Sequence, residues 1–245
     1  QRLVAAISAP TGEGVLYEAD MRLRPSGNAG PLATSLSGFI DYHRQSAWTW
    51  EHLALSRARV FAADEGMREA VDAAIAAQIS TVRDAGKTIA DVVSMRALMA
   101  RERKPRHAFD LKLAPGGLID LEFIAQSAQL VAGRQIDVPQ APTATVLRRL
   151  DELGLLPEGS RLVEILALYS TVLQVMSAAL LHPFRDEEWP VPFKELLARL
   201  TNYPSFARLA EELTEMQAEV RAAAAAWYAR AGSDGAETAP NNPHP

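Results

Sequence analysis

From residue 35 to residue 230, apolar side chains recur at three- and four-residue spacing with few interruptions, a periodicity that packed helices satisfy and sheets do not. Ser35 or Ser37 can cap a helix carrying Phe39, Ile40 and His43, and the next run puts Trp50, Leu53, Ala54, Arg57 and Phe61 on one stripe. Asp64 and Glu65 open a helix with Met67, Val71, Ala74, Ile75 and Ile79 on one face. Gly86 is expected to separate it from a helix through Ile89, Val92, Val93, Arg96 and Met99. Further helices are predicted over about 118–131, 143–153, 160–181 and 193–200, with Gly154 and His182-Pro183 as stops. A long one over about 205–230 carries the stripe Leu209, Leu213, Met216 and Val220. The expected fold class is mainly α, a helical bundle of seven or more helices over 35–230.

The first 34 residues read differently. Leu3, Val4 and Ile7 have helical spacing, and the cluster from Pro10 to Gly14 ends that short helix. The run from Val15 to Arg24 alternates from Tyr17 on, with Glu18, Asp20, Arg22 and Arg24 against Ala19, Met21 and Leu23, so a strand is predicted there whose four charged side chains emerge on one face. A return strand is expected at about 31–34. Residues 231–245, rich in Gly, Ala, Pro and Asn, are expected to be a disordered tail.

Composition removes several classes. With 48% hydrophobic residues, 245 residues can bury one large core or two modest ones. A balance of 25 Lys+Arg against 30 Asp+Glu, a net charge of -5, has the wrong sign for gripping nucleic acid over a broad face. No cysteine is present, which excludes disulfides and thiolate metal sites and suits a reducing cytoplasm. No apolar run reaches the length expected of a membrane span, so no membrane partner is expected.

Two segments carry candidate chemistry. Two guanidiniums, Arg22 and Arg24, beside two carboxylates, Glu18 and Asp20, and before the turn Pro25-Ser26-Gly27-Asn28, can hold a metal and a polyphosphate; a solvated strand face with cross-paired charges fits the same pattern. In the second, Phe109-Asp110-Leu111-Lys112-Leu113 precedes Pro115-Gly116-Gly117, whose small residues bring the chain close to a helix N-terminus able to face an anion. Asp120 and Glu122 lie in the first turns of that helix. A plain turn, with the two acids favouring the helix dipole and Lys112 pairing with one of them, also fits. At least one of Trp48 and Trp50 is expected in the core, His52 lacks a second ligand at zinc spacing, and Glu51 could orient Arg57 or Arg59.

The stretches YEADMRLRPSGNAGPLATS, AWTWEHLALSRARV and FDLKLAPGGLIDLEFIAQ resemble signature blocks of the glutamine synthetase adenylyltransferase family. Ser26-Gly27 and the run from Ala47 to His52 are closer to its C-terminal, adenylyl-transferring half. The resemblance implies a nucleotidyltransferase that moves AMP from ATP to a tyrosine of glutamine synthetase with Mg²⁺, under a nitrogen-regulatory signalling protein. It implies that Asp20 is the third metal carboxylate and catalytic, that Arg22, Arg24, Lys112, Gly116 and Gly117 are nucleotide-binding, and that Glu18, Asp110, Asp120 and Glu122 face the site. Residues 1–34 are then a small β remnant of a nucleotidyltransferase domain. The family's Gly-Ser-x-x-Asp-x-Asp pair is not found before Asp20, so the chain is expected to start inside the catalytic domain and to be inactive alone. The alternatives are a non-catalytic helical domain that docks glutamine synthetase or the regulator, and the adenylyl-removing half or a uridylyl-transferring relative.

Overall fold

The computed structural model describes residues 2–12, 14, 20–102, 104–105, 107–180 and 188–237. Helices α1 (Arg2–Ser8), α2 (Leu36–Gln45), α3 (Thr49–Leu55), α4 (Glu65–Ile79), α5 (Ala85–Glu102) and α6 (Leu118–Val131) come first. The one-turn α7 (Gly133–Ile136), then α8 (Thr143–Glu152), α9 (Gly159–Ala179), α10 (Val191–Leu200) and the long α11 (Phe206–Glu237) follow. The caps explain the starts. Ser35 Oγ accepts from the Gly38 N–H at 3.1 Å, Asp64 Oδ1 from Met67 and Asp84 Oδ1 from Lys87, both at 2.9 Å. Asp84 rather than Gly86 therefore sets the break before α5, and Gly86 lies inside its first turn.

Helix α6 is the organising element. Every residue from Asp120 to Leu130 except Glu122 is buried, the pattern of a helix with neighbours all round. Leu121, Ile124 and Ala128 join α8, α9, α10 and α11 in the larger core, with Phe109, Leu150, Ile165, Tyr169, Leu213 and Val220. Phe123 and Leu130 point the other way, into a smaller core with Leu53, Leu55, Ile75, Ile79 and Val92 from α3, α4 and α5. Each fully buried Leu or Ile contributes about 1.5–3 kcal/mol, so a helix feeding two cores ties the bundle together.

Several expectations need correction. Among the described residues there is no strand, only an isolated antiparallel bridge between Thr11 and Gly14. Half of the expected first strand, residues 15–19, lies outside the described residues; residues 20–24 form no strand and bend at Leu23 and Arg24, just after Asp20 Oδ1 accepts the Arg22 N–H at 2.9 Å. No strand forms at 31–34 either. Residues 231–237, expected as tail, continue α11: Ala231 is buried in the larger core and Arg230 Nη1 donates to the Gly154 carbonyl at 2.8 Å. Residues 238–245 lie outside the described residues. Helix α3 ends at Leu55, where Ser56 Oγ donates to the Leu53 carbonyl, so Phe61 leaves the stripe and is 93% exposed. Neither Trp48 nor Trp50 is core, at 72% and 40% exposed. Finally, α9 is long and apolar enough to cross a membrane by length and composition alone, while its Leu162, Ile165, Tyr169, Val172 and Met176 pack in the larger core.

Candidate functional site

The block from Phe109 to Gln126 folds as a loop running into α6, and its acidic residues diverge at once. Asp120 is 6% exposed and meets Arg96 of α5 in a two-pronged pair, Nε to Oδ1 at 2.5 Å and Nη2 to Oδ2 at 3.0 Å. Arg96 Nη2 also donates to the carbonyls of Leu113 and Ala114, at 3.2 and 3.0 Å, and the Gly116 N–H donates to Asp120 Oδ2 at 2.5 Å. Tyr169 of α9 donates its hydroxyl to the Gly116 carbonyl at 3.2 Å, and burial pushes that phenol's pKa up. From α11, Gln217 Nε2 donates to the Ala108 carbonyl and Arg221 Nη1 to that of Pro115. Arg96 Nη1 and the Tyr228 hydroxyl are buried without a hydrogen-bond partner among the described residues.

The two glycines serve this packing. A Cβ on Gly116, whose φ is +82°, would lie 1.9 Å from the Gln217 carbonyl oxygen; one on Gly117 would lie 2.2 Å from that of Leu111. The expected open helix N-terminus is filled from within. The amides of Leu118, Ile119 and Asp120 donate to the carbonyls of Leu111, Lys112 and Gly117, so the anion at this terminus is Asp120 itself. Lys112 is exposed, and Asp110 is half-buried with its carbonyl accepting from the Ala114 N–H. The sequence places Arg96 on the stripe of Ile89, Val92, Val93 and Met99 without assigning it a role, and a guanidinium within that apolar stripe was the available signal.

A cleft of about 820 Å³ gathers two of the expected residues, Arg24 and Glu122. Leu23, Arg24 and Pro25 form one wall, and Phe39, Trp50, Leu53, Met95, Met99 and Phe123 of the helices form the other. Glu122 pairs with Arg57 at 2.9 Å, leaving Glu51 for other partners: its Oε1 accepts the Tyr42 hydroxyl and its Oε2 the Trp48 N–H, both at 2.8 Å. Both carboxylates of the cleft are thus committed to donors. Among the described residues, His43 is 8% exposed with no partner for Nδ1, and Arg24 Nε is likewise buried and without one. Burial, and then the nearby His52, lower the His43 pKa; burial and then Arg83 lower that of His52, whose Nε2 lies 2.9 Å from the His43 carbonyl. The arrangement can take an apolar or aromatic group and set a cation, Arg24, at its edge.

Asp20 and Arg22 do not line this cleft. They form an exposed local pair, Nη2 to Oδ2 at 2.6 Å, and the guanidinium holds the Asp20 carboxyl down at about 2. Arg24 Nη1 donates to the Met21 carbonyl. Glu18 lies outside the described residues. No three His, Cys, Asp or Glu side chains gather at metal-holding distance among the described residues, and Asp20 is a single carboxylate already satisfied by Arg22. A hard divalent cation needs several oxygen ligands, so these residues by themselves do not fit one.

Residues 1–74 match the family model described as glutamate-ammonia ligase adenylyltransferase, and residues 92–226 match the one described as GlnD PII-uridylyltransferase. The chain is 46% identical over 224 residues to a bifunctional glutamine synthetase adenylyltransferase/adenylyl-removing enzyme of Mesorhizobium japonicum, covering 90% of this chain and 22% of that protein. Enzymes with the same description from Brucella suis and Caulobacter vibrioides are 46% and 44% identical over 226 residues, each covering 91% of this chain and 23% of the relative. The chain thus spans less than a quarter of the length of these relatives.

Proposed function

The chain belongs to the glutamine synthetase adenylyltransferase family, its residues 92–226 also matching the PII-uridylyltransferase model, and on that premise we propose that it is part of the C-terminal, adenylyl-transferring half of such an enzyme. In the whole protein this half moves AMP from ATP to a tyrosine of glutamine synthetase in the cytoplasm, under a nitrogen-regulatory signalling protein. The 46% identity over 224 residues carries the reading. Asp20 is its catalytic carboxylate, since it is exposed, ionised and held in direction by Arg22. Magnesium would supply charge neutralisation on the phosphates, and its site needs ligands beyond the residues described. Arg24, at the cleft edge, would bind a phosphate, and Asp110 and Lys112 are presented by the clamped loop. Asp120, Gly116 and Gly117 have a different part in this reading: they hold that loop still.

A second reading rests on the match of residues 92–226 to a model for another nucleotidyltransferase. A helical body common to two such enzymes is suited to docking glutamine synthetase or the signalling protein, with chemistry done elsewhere in the protein. The two readings part on one experiment, incorporation of labelled AMP into glutamine synthetase by this chain and by the whole protein with and without Asp20→Asn. The first predicts label only from the unmodified whole protein. Full labelling by the Asp20→Asn protein would leave docking as the role of this region.

A further inference from the structure

Away from the cleft, a cavity of about 320 Å³ opens where the C-terminal end of α4 meets the α6–α7 junction and α11. Arg83, Arg134 and Arg230 line it, and no Asp or Glu does. In a chain of net charge -5, three guanidiniums around one cavity without a carboxylate run against composition. Nor are they neutralised from elsewhere among the described residues. Arg83 donates only to the carbonyls of Gln78, Ile79 and Thr81, Arg230 donates to that of Gly154, and none of the ion pairs includes Arg134. Burial lowers the Arg83 pKa, as expected of a charge held without a countercharge.

An adjoining cavity of about 250 Å³ shares Ile79, Ser80, Gly133 and Arg134 with the first. Gln129 lines it, 2% exposed, and its Oε1 has no hydrogen-bond partner among the described residues; Asp137 stands on the same wall. A buried acceptor left unpaired costs stability unless a donor reaches it. Leu130, Leu155 and Trp227 give the larger cavity an apolar floor. We propose that the two adjoining cavities form a binding site for a small organic anion, its phosphate or carboxylate held between Arg134 and Arg230 with Arg83 behind, and a donor group of the ligand turned toward Gln129. This site is separate from the cleft and does not depend on the adenylyl-transfer reading.

The test titrates the chain with inorganic phosphate and, separately, with malonate, using sodium chloride at matched ionic strength as reference, and follows melting temperature and calorimetric heat. One of the two anions should bind saturably at one site and raise the melting temperature above the chloride reference. A response to phosphate alone assigns a phosphate ligand, and one to malonate alone a carboxylate. Arg134→Gln with Arg230→Gln should weaken that binding about tenfold or more, because two charge-assisted donors are lost. Arg208→Gln, which removes a guanidinium set among Glu211 and Glu212, should leave it unchanged. The proposal is overturned if neither anion exceeds chloride, or if saturable binding survives unchanged in the double variant.

Discussion

The segment from Asp20 to Phe61 and the body from Phe109 to Ala231 treat the same residue types in opposite ways. In the first, Met21, Leu23, Leu32, Trp48, Trp50 and Phe61 stand exposed, and the ion pair Asp20–Arg22 is exposed and spans two residues. In the second, Phe109, Leu121, Ile165, Tyr169 and Val220 are fully buried, and the pair Arg96–Asp120 is buried and bridges two helices. The two regions differ in self-sufficiency. A helix satisfies its own backbone and needs only a neighbouring face, whereas an alternating segment needs a partner strand, and none is present among the described residues.

The largest loss of stability is expected from breaking the body's buried pair. Asp120→Ala leaves Arg96 charged and enclosed, so urea unfolding should lose about 3–5 kcal/mol. A loss under 1 kcal/mol would mean that water reaches Arg96. Gly116→Ala tests the same clamp from the backbone side. With φ at +82° and the Gln217 carbonyl 1.9 Å from the new Cβ, α11 must move, at about 1–3 kcal/mol. Substitution of Gly154, whose φ of +63° is accompanied by open space, supplies the comparison without the clash.

A third expectation lies at the junction of the two regions. Burial keeps His43 and His52 neutral below their unfolded pKa of 6.5, so the unfolded chain takes up more protons between the folded and unfolded values. Their contribution is complete above about pH 6.5 and falls as the pH drops through that window. The urea midpoint should therefore decline from pH 7.5 to 5.5, and less steeply with His43→Gln and His52→Gln together. The smallest effect is expected at the exposed pair. Arg22→Gln should leave the urea midpoint where it is and raise the Asp20 pKa from about 2 toward the ordinary carboxylate value, as seen by carboxyl NMR titration.

Much of the bundle was legible because its signals are local. Ser35 and Asp64 cap where their residue types and spacing indicate, and the stripe of Leu209, Leu213, Met216 and Val220 is the buried face of α11. The continuation of α11 to Glu237 was not legible, since Gly232 and Gly235 argue for an end while Ala231 and Arg230 gain long-range contacts that composition does not show. The same holds in the loop before α6. Gly116 and Gly117 look like an anion cradle in sequence, and only the tertiary approach of Gln217 reveals a packing requirement. Asp120 and Glu122, two apart on one helix, went to different arginines because Arg96 lies inside the bundle and Arg57 at the cleft rim. Tyr17 to Arg24 alternates as a strand does, but alternation states only that two faces differ, and the chain bends at Leu23 and Arg24 just after the Asp20–Arg22 contact.

We propose that two aspartates a hundred residues apart have divided roles, Asp20 in chemistry and Asp120 in architecture. The direct measurement compares Asp20→Asn and Asp120→Asn in the whole protein, reading labelled AMP incorporation into glutamine synthetase beside the melting temperature of each. Asp20→Asn should lose about a hundredfold or more in transfer with an unchanged melting temperature, while Asp120→Asn should lower the melting temperature markedly. Full transfer by the Asp20→Asn protein, or an Asp120→Asn protein that melts like the parent yet transfers nothing, would contradict that division of roles.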